Sequence, residues 1–145
     1  MAQSTTEQVV GYLVKRVQQA LRRRCDVALN PIGLSMAQYA VLRALADHPE
    51  ASAAELARLC FVTRQSLQGV LAGLRSGGLV ESADGPARGR ARSLRLTPSG
   101  VRRLAAGGAA IGNVESAMVD GIAAADRRQL VGLLTRCAEN LETDS

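Results

Sequence analysis

The feature that most constrains this chain is a short helical segment tied to a second one by a tight break. Ser52-Ala-Ala-Glu55 is a capping box, in which a Ser and a Glu three residues apart satisfy each other's free backbone donors at a helix start. Leu56, Leu59 and Cys60 follow as its apolar residues. Phe61-Val62 interrupts the run, and Thr63 has the side chain of an N-cap for a further helix reaching about Ser76. In that helix Leu67, Val70, Leu71 and Leu74 define the buried side. The opposite side then presents Arg64, Gln65, Gln68 and Gly69, with Thr63 and Ser66 at its N-terminal end. Gly77-Gly78 stops it.

The flanking segments frame this pair. Glu7 to about Leu29 predicts a long helix, with Val10, Leu13, Val14, Val17, Leu21, Cys25 and Ala28 at helical spacing. Asn30-Pro31 and Gly33 break it, and Ser35 caps a second helix carrying Ala40, Val41, Leu42 and Leu45, which ends at Asp47-His48-Pro49. Beyond Gly78, Leu79-Val80-Glu81 predicts a short strand. Ala91 to Leu96 alternates, with Leu94 and Leu96 on one face and Ser93 and Arg95 on the other. The turn between them, Asp84 to Gly89, leads to a basic hairpin tip. Thr97-Pro98 opens another helix through Val101, Leu104, Ile111, Val114 and Met118, whose Ala- and Gly-rich tract Ala105 to Ile111 predicts close packing or a bend. A last helix from about Ala125 to Leu141 carries Leu130, Leu134, Cys137 and Leu141 along one stripe. The fold expected is mainly α with a small β-wing, one domain over residues 1–145.

Composition narrows the partners. An apolar fraction of 47% and a charged fraction of 21% suit a folded domain. No run approaches the roughly 18 apolar residues of a membrane span, and Met1 to Thr6 lacks the pattern of a signal peptide, so a cytoplasmic protein with no membrane partner is expected. Between Arg58 and Arg103 stand nine arginines (58, 64, 75, 88, 90, 92, 95, 102, 103) and two acids, a net of +7, whereas the rest of the chain nets −2. A confined basic patch is the footprint of a polyanion site. Only Tyr12, Tyr39 and Phe61 are aromatic, which disfavours RNA modules built on base stacking.

Helix, helix, helix, strand, basic tip, strand is the winged helix–turn–helix order, and its physics fits double-stranded DNA. A short helix and a turn hold a second helix whose N-terminal polar residues enter the major groove. Arg64 suits phosphate or guanine, and Gln65 and Gln68 suit the paired donor and acceptor of adenine. Gly69 allows close approach to the groove wall. At this point the chain resembles the MarR family of bacterial transcriptional regulators. The resemblance runs from about Gly11 to Leu141, and rests on Leu34-Ser-Met-Ala-Gln-Tyr-Ala-Val-Leu42, Glu55-Leu-Ala, Leu74-Arg-Ser-Gly-Gly-Leu-Val80, Gly89-Arg90-Ala91 and Leu96-Thr-Pro-Ser-Gly100 in that order and spacing.

The resemblance implies a homodimeric, ligand-responsive repressor on a pseudo-palindromic operator. Helices over about 7–29 and 98–142 would interlace into a dimerisation region, and a winged helix–turn–helix over about 35–97 would read DNA. Arg90 matches the family's wing-tip arginine of the minor groove, flanked here by Arg88 and Arg92. Family members often carry an acid or His two residues before that arginine; this chain has Arg88, so the tether is replaced by a potential second DNA contact. The family also binds small aromatic or phenolic ligands in a crevice beside the dimer helices. Tyr12 and Tyr39, with Arg16 and Arg43 one turn further along their helices, are the corresponding candidates, or else simple packing residues.

Other chemistries find little support. Cys25, Cys60 and Cys137 fall on apolar helical faces as small hydrophobes, although a thiol-sensing regulator of the same family is the alternative. A winged-helix protein-interaction module without DNA binding is the alternative of another class. His48 is a lone loop histidine, the cysteine spacing forms no zinc pattern, and no cofactor is expected. With one His and none of the nucleophile, metal or phosphate-loop motifs, an enzyme is not expected.

Overall fold

The computed structural model describes residues 5–83 and 94–143. Among these, the helices are α1 (Val10–Leu29), α2 (Met36–Asp47), α3 (Ala53–Leu59), α4 (Arg64–Ser76), α5 (Pro98–Met118) and α6 (Ala124–Glu142), and the strands are β1 (Val80–Ser82) and β2 (Leu94–Leu96). The strands pair antiparallel, with Val80 opposite Leu96 and Ser82 opposite Leu94. The architecture is mainly α with a small wing, as the sequence order predicts. The segment 84–93, which carries the expected hairpin tip, lies outside the described residues.

The chain divides into two compact units, Met1–Val114 and Glu115–Ser145. In the first, Leu29, Val41, Leu42, Leu67 and Leu74 are the most deeply buried large side chains. They come from α1, α2 and α4, so the end of the long first helix, the second helix and the fourth share one core. Tyr39, Leu45, Leu56, Leu71, Leu79, Val80, Leu104, Ile111 and Val114 complete it. Each such leucine contributes about 1.5–3 kcal/mol by leaving water.

Helix starts are set by side chains. Ser35 Oγ accepts the Gln38 N–H at 3.0 Å, while Gln38 Oε1 accepts the Ser35 N–H at 2.9 Å, so the expected cap at Ser35 is a full capping box. Ser52 and Glu55 form the second, at 3.1 and 3.3 Å. The backbone N–H and then the hydroxyl of Ser52 hold the Glu55 carboxyl below its ordinary range.

One junction ties the wing to α5. The Thr97 hydroxyl donates to the Gly78 carbonyl at 2.6 Å and accepts the Gly100 N–H at 3.0 Å. The Thr97 N–H donates to the Leu79 carbonyl at 3.0 Å. Gly100 lies against that carbonyl so closely that a Cβ would overlap it. Gly107 lies similarly under Tyr39, where a Cβ would come 2.9 Å from the ring. The Ala- and Gly-rich tract therefore serves close packing.

Several local expectations shift. β1 begins at Val80 rather than Leu79, because the Leu79 N–H still closes the end of α4 on Leu74 and its carbonyl serves Thr97. α3 ends at Leu59, with Cys60 as its C-cap, and Leu59 faces outward. Val101 is exposed, because Gly100, Leu104 and Gly107 form the stripe of α5 that faces the core. In α1 only Cys25 and Leu29 are buried; Val10, Leu13, Val14 and Val17 lie open. The second unit contains the last turn of α5 and α6. No described residue of α6 is buried, and Leu130, Leu134 and Leu141 form an open apolar stripe with Cys137 exposed beside them.

Gly100→Ala is expected to destabilise the fold by about 3 kcal/mol or more, since the new methyl must displace backbone. Gly69→Ala, at a helical position with open space around it, should gain about 0.5–1 kcal/mol. Urea denaturation followed by circular dichroism separates the two; equal midpoints for Gly100→Ala and the parent would refute the close approach.

Candidate nucleic-acid interface

The interface is built outward from α4. Leu67, Leu71 and Leu74 are buried, which fixes the helix's rotation. At about 100° per residue, the ridge opposite them carries Gln65, Gly69, Ala72 and Ser76. Arg64, Gln68 and Arg75 share one flank. Arg64, Gln65, Ser66, Gln68 and Gly69 are all exposed, with Ser66 on the flank opposite to that of Arg64 and Gln68. Past Gln65 the ridge is small, which suits close approach to a flat or concave partner.

Thr63 is the N-cap of α4, as its position in the sequence predicts. Its Oγ1 accepts the Ser66 N–H at 3.0 Å and its hydroxyl donates to Ser66 Oγ at 3.0 Å. The hydroxyl is occupied in capping, so Thr63 positions the N-terminus of α4 while Ser66 keeps its own proton available.

The basic patch is more selective than its count implies. Arg95 on β2 pairs with Glu81 on β1 at 3.0 Å across the ladder, and both are about half exposed. The guanidinium of half-buried Arg103 points at Gly33, at 3.2 Å from where a Cβ would stand there. Arg58, Arg64, Arg75 and Arg102 remain exposed. The wing residues Arg88, Arg90 and Arg92 lie outside the described residues.

The turn into α4 holds a feature that sequence reading passed over. Phe61 has φ 55°, the left-handed region, and among the described residues it is the one non-glycine with positive φ. Its N–H donates to the Arg58 carbonyl at 3.2 Å and the Val62 N–H to Ala57 at 3.0 Å. That is a Schellman motif, whose left-handed position favours Gly. A side chain there costs roughly 1–2 kcal/mol. Phe61 is also 91% exposed.

The expected ligand residues are only partly assembled. The Arg43 guanidinium lies 6.0 Å from the Tyr39 ring centre and donates to the Tyr39 hydroxyl at 3.4 Å. Gly107 and Gly108 of α5 back this pair. Tyr39 is buried and packs in the core, whereas Tyr12 and Arg16 stand on the open part of α1. A separate cavity of about 340 Å3, unforeseen from the sequence, is lined by Leu45, Leu56, Leu71 and Leu94 with Gln68 and Arg75 as its long polar side chains. Its signal was the flank shared by Gln68 and Arg75, legible only once the rotation of α4 is known.

Helices α2 to α4, followed by an antiparallel two-stranded wing, make a winged helix–turn–helix protein. Residues 32–91 match the family model described as MarR family. The HTH-type transcriptional repressor Rv2887 of Mycobacterium tuberculosis is 38% identical over 91 residues, which are 63% of this chain and 66%, just under two thirds, of that one. The Rv2887 structure in complex with p-aminosalicylic acid has a TM-score of 0.73 at 30% identity, covering 90% of this chain and 98% of the other. Its complex with DNA has a TM-score of 0.73 at 29% identity, covering 89% and 97%. The chain belongs to the MarR family, a family of transcriptional regulators and not of enzymes.

The thiols differ in access. Cys25 is buried, Cys60 half-buried and Cys137 exposed, and none of the three is in a disulfide. Burial pushes the Cys60 thiol up. Alkylation by iodoacetamide near pH 8 is therefore expected to proceed faster at Cys60 than at buried Cys25, with the Cys60 rate rising only at a pH above that of an ordinary thiol. Peptide mass spectrometry of timed samples checks the order; a Cys25 that reacts ahead of Cys60 would contradict it.

Proposed function

We propose that this chain is a ligand-responsive transcriptional repressor that binds operator DNA as a homodimer in the cytoplasm. The observation that carries the reading is the N-terminal end of α4, where Arg64, Gln65, Ser66 and Gln68 are all exposed on a capped helix whose leucine side is locked into the core. In a helix–turn–helix that end enters the major groove. The relative Rv2887, solved in complex with DNA and with p-aminosalicylic acid, supports both the DNA partner and an aromatic acid as effector class. Arg90, with Arg88 and Arg92, is assigned to the minor groove and flanking phosphates.

Dimerisation is assigned to the helices over about 7–29 and 98–142. Two observations support it: the apolar stripe of α1 at Val10, Val14 and Val17 is open, and so is that of α6 at Leu130, Leu134 and Leu141. Open stripes of this length call for a partner surface. Among the described residues no helix is long and apolar enough to cross a membrane. A pseudo-palindrome then has half-sites about 34–36 Å apart, matched by two copies of α4.

The effector is assigned to the region of Tyr39 and Arg43, with Tyr12 and Arg16 as further walls. An aromatic acid would stack on tyrosine and pair with a guanidinium. The ligand releases DNA by favouring a dimer whose recognition helices are wrongly spaced. The thiol-sensing version has less support, since Cys25 is buried and the Cys60 thiol is pushed up.

Binding to a duplex selected by the protein from random DNA should weaken 10-fold or more, on the order of several phosphate contacts, between about 50 and 200 mM salt. Arg64→Ala and Arg90→Ala should each weaken it and flatten the salt slope by about one. Unchanged binding in both would remove the assigned surface, and no binding to any duplex would favour the protein-interaction module. Arg43→Ala should leave DNA affinity intact while p-aminosalicylate loses most of its power to release the duplex; fluorescence anisotropy reads both, and an unaltered ligand response would move the effector site elsewhere.

A further inference from the structure

Phe61 is held where the backbone asks for glycine. Helix ends in this chain otherwise use glycine at their left-handed positions: Gly33 at φ 78°, Gly78 at φ 73° and Gly121 at φ 79°. The end of α4 is the direct comparison. There the Gly78 N–H reaches the Arg75 carbonyl and the Leu79 N–H reaches Leu74, the same pair of bonds that Phe61 and Val62 make at the end of α3. Two Schellman turns in one chain thus differ in the residue at the left-handed position.

Nothing within the described chain compensates for that choice. Val62, the next residue, packs against the core and supplies the apolar contact this turn needs. Phe61 projects outward, 91% exposed, and is the most exposed large hydrophobic among the described residues. Its place is specific. It stands two residues before the N-cap of α4, hence within about 7 Å of Thr63 along the backbone, and three residues along the chain from each of Arg58 and Arg64, which are both exposed. An exposed apolar ring with a cation nearby in the chain on each side suits a partner that offers an apolar group inside an anionic frame.

We infer that Phe61 is a specificity-determining DNA contact, seating its ring on the C5 methyl group of a thymine at the edge of the major-groove half-site. This rests on the DNA-binding reading above. Thymine is the one base that presents a methyl group in that groove, and phenylalanine is among the side chains that read it. The flanking arginines supply the phosphate contacts that hold the ring in place. The left-handed turn has a role in this: it aims the ring away from the core at the point where α4 begins.

The test uses the full-length protein and a 30-base-pair duplex that it has selected from a random pool. Phe61→Gly should melt at a higher temperature than the parent, which shows that it folds, yet bind the duplex about three- to tenfold more weakly. Phe61→Asn, which tolerates the same backbone, should behave alike. Replacing thymines singly by deoxyuridine, which lacks the methyl, should at one position per half-site cost the parent that same factor and cost Phe61→Gly nothing further. The salt slope should not change, since no charge is lost. Phe61→Gly binding as tightly as the parent, while Arg64→Ala loses affinity, would overturn the Phe61 contact and leave the DNA reading standing. A loss of affinity that no deoxyuridine position reproduces would also overturn it. A parent that selects no duplex at all would overturn the DNA reading, and this contact with it.

Discussion

The burial of Leu67, Leu71 and Leu74 is the constraint on which the candidate interface depends. A helix cannot turn about its axis without exposing such a stripe, and each leucine lost to water would cost about 1.5–3 kcal/mol. That penalty exceeds anything an exposed glutamine or arginine gains by facing one way or another. The core therefore decides the outward face, and Gln65, Gln68 and Arg64 are presented by side chains that never meet the partner. The same rotation puts Gln68 and Arg75 beside the cavity of about 340 Å3.

The second level of control lies at the helix ends. Ser35, Ser52 and Thr63 each accept a backbone N–H at the start of their helix, and so fix where α2, α3 and α4 begin. Caps are worth about 1 kcal/mol each, less than the core, but they set register along the axis where the core sets rotation. Thr97 does the same for α5 and adds a bond to the Gly78 carbonyl. Because Gly100 brings α5 onto the Leu79 carbonyl, the base of the wing and the start of α5 behave as one joint.

The legibility of the sequence follows this hierarchy. The capping box at Ser52 and Glu55, the stop at Gly77-Gly78 and the stripe of α4 depend on neighbours three or four residues away, so spacing reveals them. Tertiary contacts were less visible. The outward turn of Val101 depends on Gly100 meeting the Leu79 carbonyl in the turn before β1, and the fate of Arg95 depends on Glu81 across the ladder. The apolar residues of α1 read as a uniform stripe, yet only its C-terminal end is buried, because the core of the first unit takes in Cys25 and Leu29, with Leu21 and Ala28 packed against it, and none of the valines before them. Periodicity identifies a face that needs cover and says nothing of whether the cover comes from the same chain. Phe61 was legible as an interruption between two helices; its left-handed backbone was not, since a pattern of residue types carries no φ.

The partition of charge completes the picture. Nine arginines in the middle third of the chain resemble a diffuse field, but Arg95 is paired with Glu81 and Arg103 is turned toward Gly33. Arg58 and Arg64 flank the turn, and Arg64 and Arg75 lie along one side of α4. The ridge between that side and the opposite one is small beyond Gln65: Gly69, Ala72 and Ser76. On the proposed reading this separates two tasks. The arginines at the edges attract and orient a polyanion through contacts that carry no sequence information, while the small ridge lets the helix sink far enough for a few side chains to meet base edges. Discrimination then falls on the residues that are neither small nor cationic, which on this face are Gln65, Gln68 and the ring at the mouth of the turn.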